Sequence, residues 1–294
     1  MQINTFKSEF GCNLQTYIWK PKNPNGVGLY LVHGYAEHCG RYKHVAKYFT
    51  DEGFTVYGID HYGHGQSEGK RALITNIEFI VLDIKNWIES EKKSNAKIDR
   101  HFVLGHSMGG LLTSFLVKSF PELVDGFMLS APLIYSANVP PKIIIRIGEF
   151  LSKFLPNLPI VPFNGEDISR DKAVVKAFLD DEFTYKGKLK IGTGAELHKR
   201  GGEILQIADK IVHPCWVGHS STDRITDFEA SKKFFDLLGS VDKTFQKYDG
   251  LSHELLNEPE KRVVMGQMLT WLKKRANIKP QAELPEVKSL DSEK

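Results

Sequence analysis

The chain has 294 residues, 41% of them hydrophobic and 26% charged, ordinary proportions for a globular protein that buries a core without disulfide or metal staples. Its 39 basic and 36 acidic residues leave a net charge of +3, with the lysines scattered rather than massed, which excludes a nucleic-acid-binding arm. Three cysteines (Cys12, Cys39 and Cys215) in no CxxC or Cys/His spacing exclude a disulfide framework and a thiolate metal centre, and point to a reducing, cytoplasmic setting.

The polar start "MQINTFKSEFGCN" has no signal-peptide h-region, and no apolar run approaches the roughly 18 residues of a membrane span. Two extended segments, "NTFKSEF" and "NLQTYIWKP", flank Gly11 and read as a hairpin. "GVGLYLVHG" is a continuous apolar run ending in glycine, the mark of a strand buried on both faces. A helix follows in "RYKHVAKYFTDEG", stopped by Gly53, then a strand and loop in "FTVYGIDHYGHG" and a helix in "IEFIVLDIKNWIES". "HFVLGHSMGG" is strand then turn, "LLTSFLVKSF" a helix halted before Pro121, and "VDGFMLSAP" another buried strand. This alternation implies right-handed crossovers and an α/β fold with a mostly parallel central sheet flanked by helices.

The rhythm stops at Pro132 and resumes with "HPCWVGHS" near Pro214. The intervening stretch is too long for a loop in a compact domain. It holds the apolar "PPKIIIRIGEFLSKFLP", the Pro/Asn-rich "NLPIVPFNGED" and the helical "RDKAVVKAFLDDE", and is best described as an inserted, mostly helical lid. The helix "DFEASKKFFDLLG", the strand "KTFQKYDG" and the long helix "EKRVVMGQMLTWLKKRA" complete the pattern. The expected organisation is a core in two parts, 1–132 and 208–277, a lid over 133–207, and a disordered tail over 278–294 that lacks aromatics.

Gly105, Ser107 and Gly109 form a G-x-S-x-G spacing with a strand before it and a helix after it. A serine hydroxyl becomes a nucleophile only when a base takes its proton and an acid holds the base. A sharp strand-to-helix elbow presents such a serine, and its partners then follow in the order acid, histidine, each in a loop after a later strand. For the acid, Asp223 and Asp227 compete; Asp227 stands just before "FEASKKFF" and suits a helix N-cap, so Asp223 is favoured. For the base, His253 in "LSHELLNEPE" occupies the required position, with Glu254 and Glu258 expected to serve the start of the last helix. Two backbone donors for a developing oxyanion are expected at Met108, the residue after the nucleophile, and at Tyr35 in the loop "HGYAEHCGRY". Cys39 in that loop reads as an inert small residue rather than a reactive thiol.

Together, "LVHGYAEHCGRY", "GIDHYGHGQSEG", "LGHSMGG", "SRDKAVVKAFLDDE", "TGAEL" and "DGLSHELLNE" resemble monoacylglycerol lipases and the related lysophospholipases, α/β-hydrolases of the serine aminopeptidase S33 grouping. The resemblance covers about residues 8 to 275, lid included. It implies an α/β-hydrolase fold and hydrolysis of carboxylic esters of single-chain acyl lipids, without metal or organic cofactor. It carries the nucleophile onto Ser107, the acid onto Asp223, the base onto His253 and the oxyanion donors onto Tyr35 and Met108. The chain departs from the family at Tyr62, where Arg is usual, at Tyr35, where a small residue is frequent, and in "FLDDEF", which replaces "DPL". A bulky Tyr35 side chain bears on the width of the pocket.

Ile144, Ile145, Phe150, Leu151 and Phe154 of the lid, with Lys142, Arg146 and Lys153 among them, suit either an interfacial helix that contacts a membrane and admits acyl chains or a face packed on the main domain. These readings are compatible. Competing functions are a lysophospholipase, a small- or phenolic-ester esterase or peptidase with the same triad, and a catalytically silent fold that binds a partner. A dehalogenase or epoxide hydrolase would carry Asp in place of Ser107. The acyl length, head group and oligomeric state are not encoded in any motif.

Overall fold

Val27–Val32, the continuous apolar run, is strand β3, and every one of its residues is buried. Such a strand needs cover on both faces, and the computed structural model, which describes residues 1–162 and 164–277, supplies it. The hairpin is β1 (Gln2–Lys7) and β2 (Asn13–Trp19), paired antiparallel. The core continues with α1 (Lys43–Asp51), β4 (Thr55–Ile59), α2 (Ile77–Ser94), β5 (Arg100–His106), α3 (Met108–Ser119) and β6 (Gly126–Ser130). After the insertion come β9 (Cys215–Ser220), α7 (Phe228–Leu237), β10 (Lys243–Tyr248) and α8 (Lys261–Arg275).

The eight strands order as β1-β2-β4-β3-β5-β6-β9-β10. β2 pairs antiparallel with β1 and β4, and every pair from β4 to β10 is parallel. The sheet carries a core on each side. One joins α2, α3 and α7 through Trp87, Leu111, Leu112 and Phe234; the other joins α1 and α8 through Phe49, Met268 and Leu272. Each fully buried side chain of this size contributes about 1.5–3 kcal/mol, so the two layers hold the strand ends that carry the site.

Between β6 and β9 run α4 (Lys142–Ser152), β7 (Pro159–Pro162), α5 (Lys172–Asp180), β8 (Lys188–Lys190) and α6 (Ile191–Gln206). Two features were absent from the sequence reading. β7 and β8 form a small antiparallel ladder, and α6 is a regular helix although it contains Gly192, Gly194, Gly201 and Gly202. The glycines answer to close packing rather than to turns. A Cβ on Gly201 would overlap the Ile134 carbonyl, and one on Gly192 would lie 2.9 Å from Pro156 Cβ. α6 also sends Leu197 and Ile204 into the main core, so the end of the insertion is bound to the sheet layers. α4 has no buried residue. The tail expected over 278–294 lies outside the described residues.

Candidate active site

Ser107 stands between β5 and α3 with φ +52° and ψ −119°. A non-glycine residue adopts a positive φ of this kind only where the surroundings enforce it, at a cost of about 1–3 kcal/mol. The neighbours do so here. Ser107 N–H donates to Ser130 O at 3.0 Å, and Ser107 O accepts from Leu133 N–H at 2.9 Å. The flanking glycines are required: a Cβ on Gly105 would overlap the Gly109 carbonyl, one on Gly109 would overlap the Val32 carbonyl, and one on Gly110 would come 2.8 Å from Pro132 Cβ. The helix therefore starts hard against the ends of β3 and β5, and the serine is thrown onto the carboxyl edge of the sheet.

Asp223 follows β9 and is fully buried at its side chain. Its Oδ2 accepts from His253 Nδ1 at 2.7 Å, and its Oδ1 accepts from the backbone N–H groups of Ile225 (2.7 Å) and Thr226 (3.1 Å). Burial alone would raise the carboxyl pKa, but the charge of His253 and hydrogen bonds from His219 and His253 hold it well below the usual carboxylate range. His253 follows β10. Burial alone would lower its pKa, yet Asp223, with Glu254 and Glu37 beyond it, raises the ring above its ordinary 6.5. The His253 ring packs on His106, the residue before Ser107, at 4.8 Å between centroids. Among the described residues no hydrogen bond joins the Ser107 hydroxyl to His253; bonds of this kind often tighten only when substrate is present. Asp227 is the N-cap of α7, its side chain accepting from Ala230 N–H at 3.0 Å.

The loop after β3 closes the other side. Gly34 lies so near Ser107 that an added Cβ would be 3.1 Å from Ser107 Cβ. Its N–H donates to Glu37 Oε1 at 2.7 Å, and Ala36 takes a left-handed φ of +66°. His33 Nδ1–H donates to Gly34 O at 2.7 Å while its Nε2 accepts from His61 N–H at 3.0 Å, which ties the loop to the end of β4; burial and the neighbouring His61 and His64 push its pKa well below the ordinary 6.5. Among the described residues, the backbone N–H groups of Tyr35 and Met108 have no intramolecular acceptor. The Tyr35 side chain turns away toward Ala72, donating to its carbonyl at 3.2 Å, and meets His64 and Tyr185 edge-on. Cys39 is buried, its thiol directed at Ile59 O (3.3 Å) and pushed well above the ordinary thiol pKa by burial and by Asp60, which leaves it unreactive.

Two expectations require correction. Glu254 and Glu258 do not start the last helix. Arg41 donates to both Glu254 oxygens (2.6 and 2.8 Å) and to Glu37 (2.8 Å), an arrangement that joins the loop after β3 to the His253 loop. Glu258 is fully buried and accepts from Ser169 Oγ (2.6 Å), Arg170 N–H (2.8 Å) and Ser252 N–H (3.0 Å), which anchors the insertion to the core. A carboxylate's partners come from distant chain segments, and local spacing carries no sign of them.

Sequence reasoning also missed His219 and Thr226. Both donate to Asp223 Oδ2, at 3.0 and 2.8 Å. The available signal was a histidine inside the buried strand "CWVGHS", four residues before Asp223. Of the lid residues, Ile144, Phe150 and Phe154 are exposed, the last at 69% of its surface, while Ile145 and Leu151 are half-buried. No helix of the described residues is long and apolar enough to cross a membrane.

A mostly parallel sheet with a strained serine between strand and helix, and an Asp–His pair at the next carboxyl ends, defines an α/β-hydrolase. Comparison with known proteins narrows the class. The family model for serine aminopeptidase, S33 matches residues 23–260. The chain is 32% identical over 270 residues to the monoacylglycerol lipase of Mycolicibacterium smegmatis, covering 92% of this chain and 96% of the relative. It is 30% identical over 261 residues to the human monoglyceride lipase, covering 87% and 86%. Among solved structures, the monoacylglycerol lipase of Paleococcus ferrophilus superposes with a TM-score of 0.79 at 26% identity, over 88% of this chain and 99% of that one. The chain belongs to the serine aminopeptidase S33 family, and it is a carboxylic ester hydrolase.

Proposed function

We propose that the protein hydrolyses esters of single-chain acyl lipids, most directly a monoacylglycerol to fatty acid and glycerol, through an acyl-enzyme on Ser107. The observation that carries this reading is the buried Asp223–His253 bond of 2.7 Å beside the elbow serine. His253 Nε2 takes the Ser107 proton as Oγ bonds to the ester carbonyl carbon. The resulting oxyanion meets the backbone N–H groups of Tyr35 and Met108, neither of which has an intramolecular acceptor among the described residues. Collapse breaks the bond to the glycerol oxygen, which receives the proton from His253. Water then gives its proton to His253 and attacks the acyl carbon; the fatty acid leaves and Ser107 regains its hydrogen. Asp223 holds the imidazole in place and balances its charge throughout.

The single-chain lipid substrate is supported by the relatives, which are named for monoacylglycerols, and by the apolar surface of α4. Ile143, Ile144, Ile147 and Phe150 lie more than half exposed beside Lys142 and Arg146. This face meets a lipid layer, with the cations at its rim. Labelling by a fluorophosphonate probe and turnover of a panel of monoacylglycerols, lysophospholipids, short esters and aminoacyl substrates test the proposal. Ser107→Ala should abolish labelling and turnover while circular dichroism stays unchanged. Retained hydrolysis in that variant would overturn the nucleophile, and a preference for short or peptide substrates would overturn the lipid.

A further inference from the structure

His219 lies on β9 with no exposed surface, its ring edge-on to Phe228. An apolar side chain of similar volume would fill this place without a polar atom to satisfy. The imidazole instead directs Nε2 at Asp223 Oδ2, 3.0 Å away, and at Thr226 Oγ1, 3.2 Å away. Its Nδ1 is buried with no partner among the described residues. A bare ring nitrogen without a donor costs less than a buried N–H without an acceptor, so the proton belongs on Nε2 and the ring is a donor to the carboxylate.

The oxygen that receives it is the one that also receives His253 Nδ1. Thr226 Oγ1–H reaches the same Oδ2 at 2.8 Å, and Thr226 Oγ1 lies 3.2 Å from His253 Nδ1. Three side-chain donors thus share one carboxylate oxygen, while Oδ1 is spent on two backbone N–H groups. A donor on Oδ2 fixes the carboxylate rotamer and draws charge from the oxygen, which weakens its pull on the third partner.

We propose that His219 is a positioning residue for the reaction: its Nε2–H bond holds Asp223 Oδ2 toward His253 and takes up part of the charge there, so that the base loses its proton at a lower pH than an unshared carboxylate would allow. The inference rests on the reading of Asp223 and His253 as acid and base. The titratable groups facing His253 are Asp223 and His219 from the β9 side, His106 from β5, and Glu254, Glu37 and Arg41 from the loop network. Of these titratable groups, His219 alone among the described residues hydrogen-bonds Asp223 with no hydrogen bond to His253.

The test compares kcat/KM against pH for the full-length protein, His219→Leu and His219→Gln, on a soluble monoacylglycerol. Loss of the donor in His219→Leu should move the acid limb upward by about half a pH unit or more, and the glutamine amide, which restores a donor at similar reach, should return it toward the parent value. A limb that stays in place while only thermal stability falls would show that His219 merely packs, and overturn the proposal. Nitrogen-15 spectra of the unmodified protein with labelled histidine provide a reading that needs no variant: His219 should carry a proton on Nε2, and a proton on Nδ1 with Nε2 bare would overturn the proposal. Failure of the underlying reading is seen separately, as activity that survives His253→Ala or Asp223→Ala.

Discussion

Ser107 holds its left-handed backbone because three glycines let the chain close around it. Gly105 and Gly109 leave room for neighbouring carbonyl groups, and Gly34 leaves room for the serine's own Cβ. The strain and the proposed nucleophile sit at one residue. The same scale carries the pH behaviour. As the base of the proposed mechanism, His253 would have to be neutral to take a proton, and its pKa is raised above the ordinary 6.5 by Asp223. The expected kcat/KM therefore falls as the pH drops through a value above 6.5, which a pH–rate profile measures; an acid limb below 6.5 would contradict the assignment. Stability runs the other way. A raised histidine pKa contributes stability that is fully present below 6.5 and is lost as pH rises through the folded-state value. The depressed Asp223 pKa contributes stability present above 3.8, lost only as pH falls through its lower folded value. The base is thus most competent where its own ionisation stabilises the fold least.

At the scale of elements, α1 follows directly from apolar spacing, and β3, β5, β6 and β9 from continuous apolar runs. α6 does not, because glycine normally weakens a helix by about 1 kcal/mol per residue. Its glycines are dictated by what touches them, the Ile134 carbonyl and Pro156, which are distant in the chain. α4 presents the opposite case. Its helical period is plain, but period alone does not say whether an apolar face meets protein or lipid. Ile145 and Leu151 are half-buried on the side toward α6, while Ile143, Ile144, Ile147 and Phe150 stay exposed, so the helix has one packed side and one open apolar side. Replacing both Ile147 and Phe150 with Ser should change stability by no more than about 0.5 kcal/mol, as for other exposed positions. The same pair of changes should weaken sedimentation with phosphatidylcholine vesicles by at least about tenfold, since two large side chains leave the lipid. Unchanged vesicle binding would remove the lipid-facing role of this helix.

Across the whole molecule, the site is assembled from loops after β3, β5, β9 and β10, at the carboxyl edge of the parallel strands. Arg41 locks two of these loops together by pairing Glu37 and Glu254, all three of them buried at the side chain, and its guanidinium lies over Phe178 of the insertion. Removing one partner from such a network leaves buried charge unpaired, at a cost of about 3–5 kcal/mol. Arg41→Ala should lose stability of that order in urea denaturation and lose kcat/KM with it, because the loops that carry Gly34 and His253 separate. A loss below about 1 kcal/mol, the range of surface ion pairs, would show the network to be incidental. Glu258 does for the insertion what Arg41 does for the loops, gathering Ser169, Arg170 and Ser252 onto one buried carboxylate.

The sequence by itself determined the alternation of strands and helices, the elbow around Ser107 and the order of its partners, because these are local patterns of period, glycine spacing and chain order. It also identified Asp227 as a cap, since the residues that need capping are its neighbours. Only the tertiary structure decided what depends on segments far apart in the chain: that the sheet order interleaves β4, β3 and β5, that Glu254 and Glu258 serve Arg41 and the insertion, and that Ile143, Ile144, Ile147 and Phe150 of α4 stay exposed among the described residues while Ile145 and Leu151 are half-buried. It also revealed that His219 and Thr226 share the oxygen of Asp223 with His253. Hydrogen bonds to a buried carboxylate are set by geometry across loops, and no spacing along the chain encodes them.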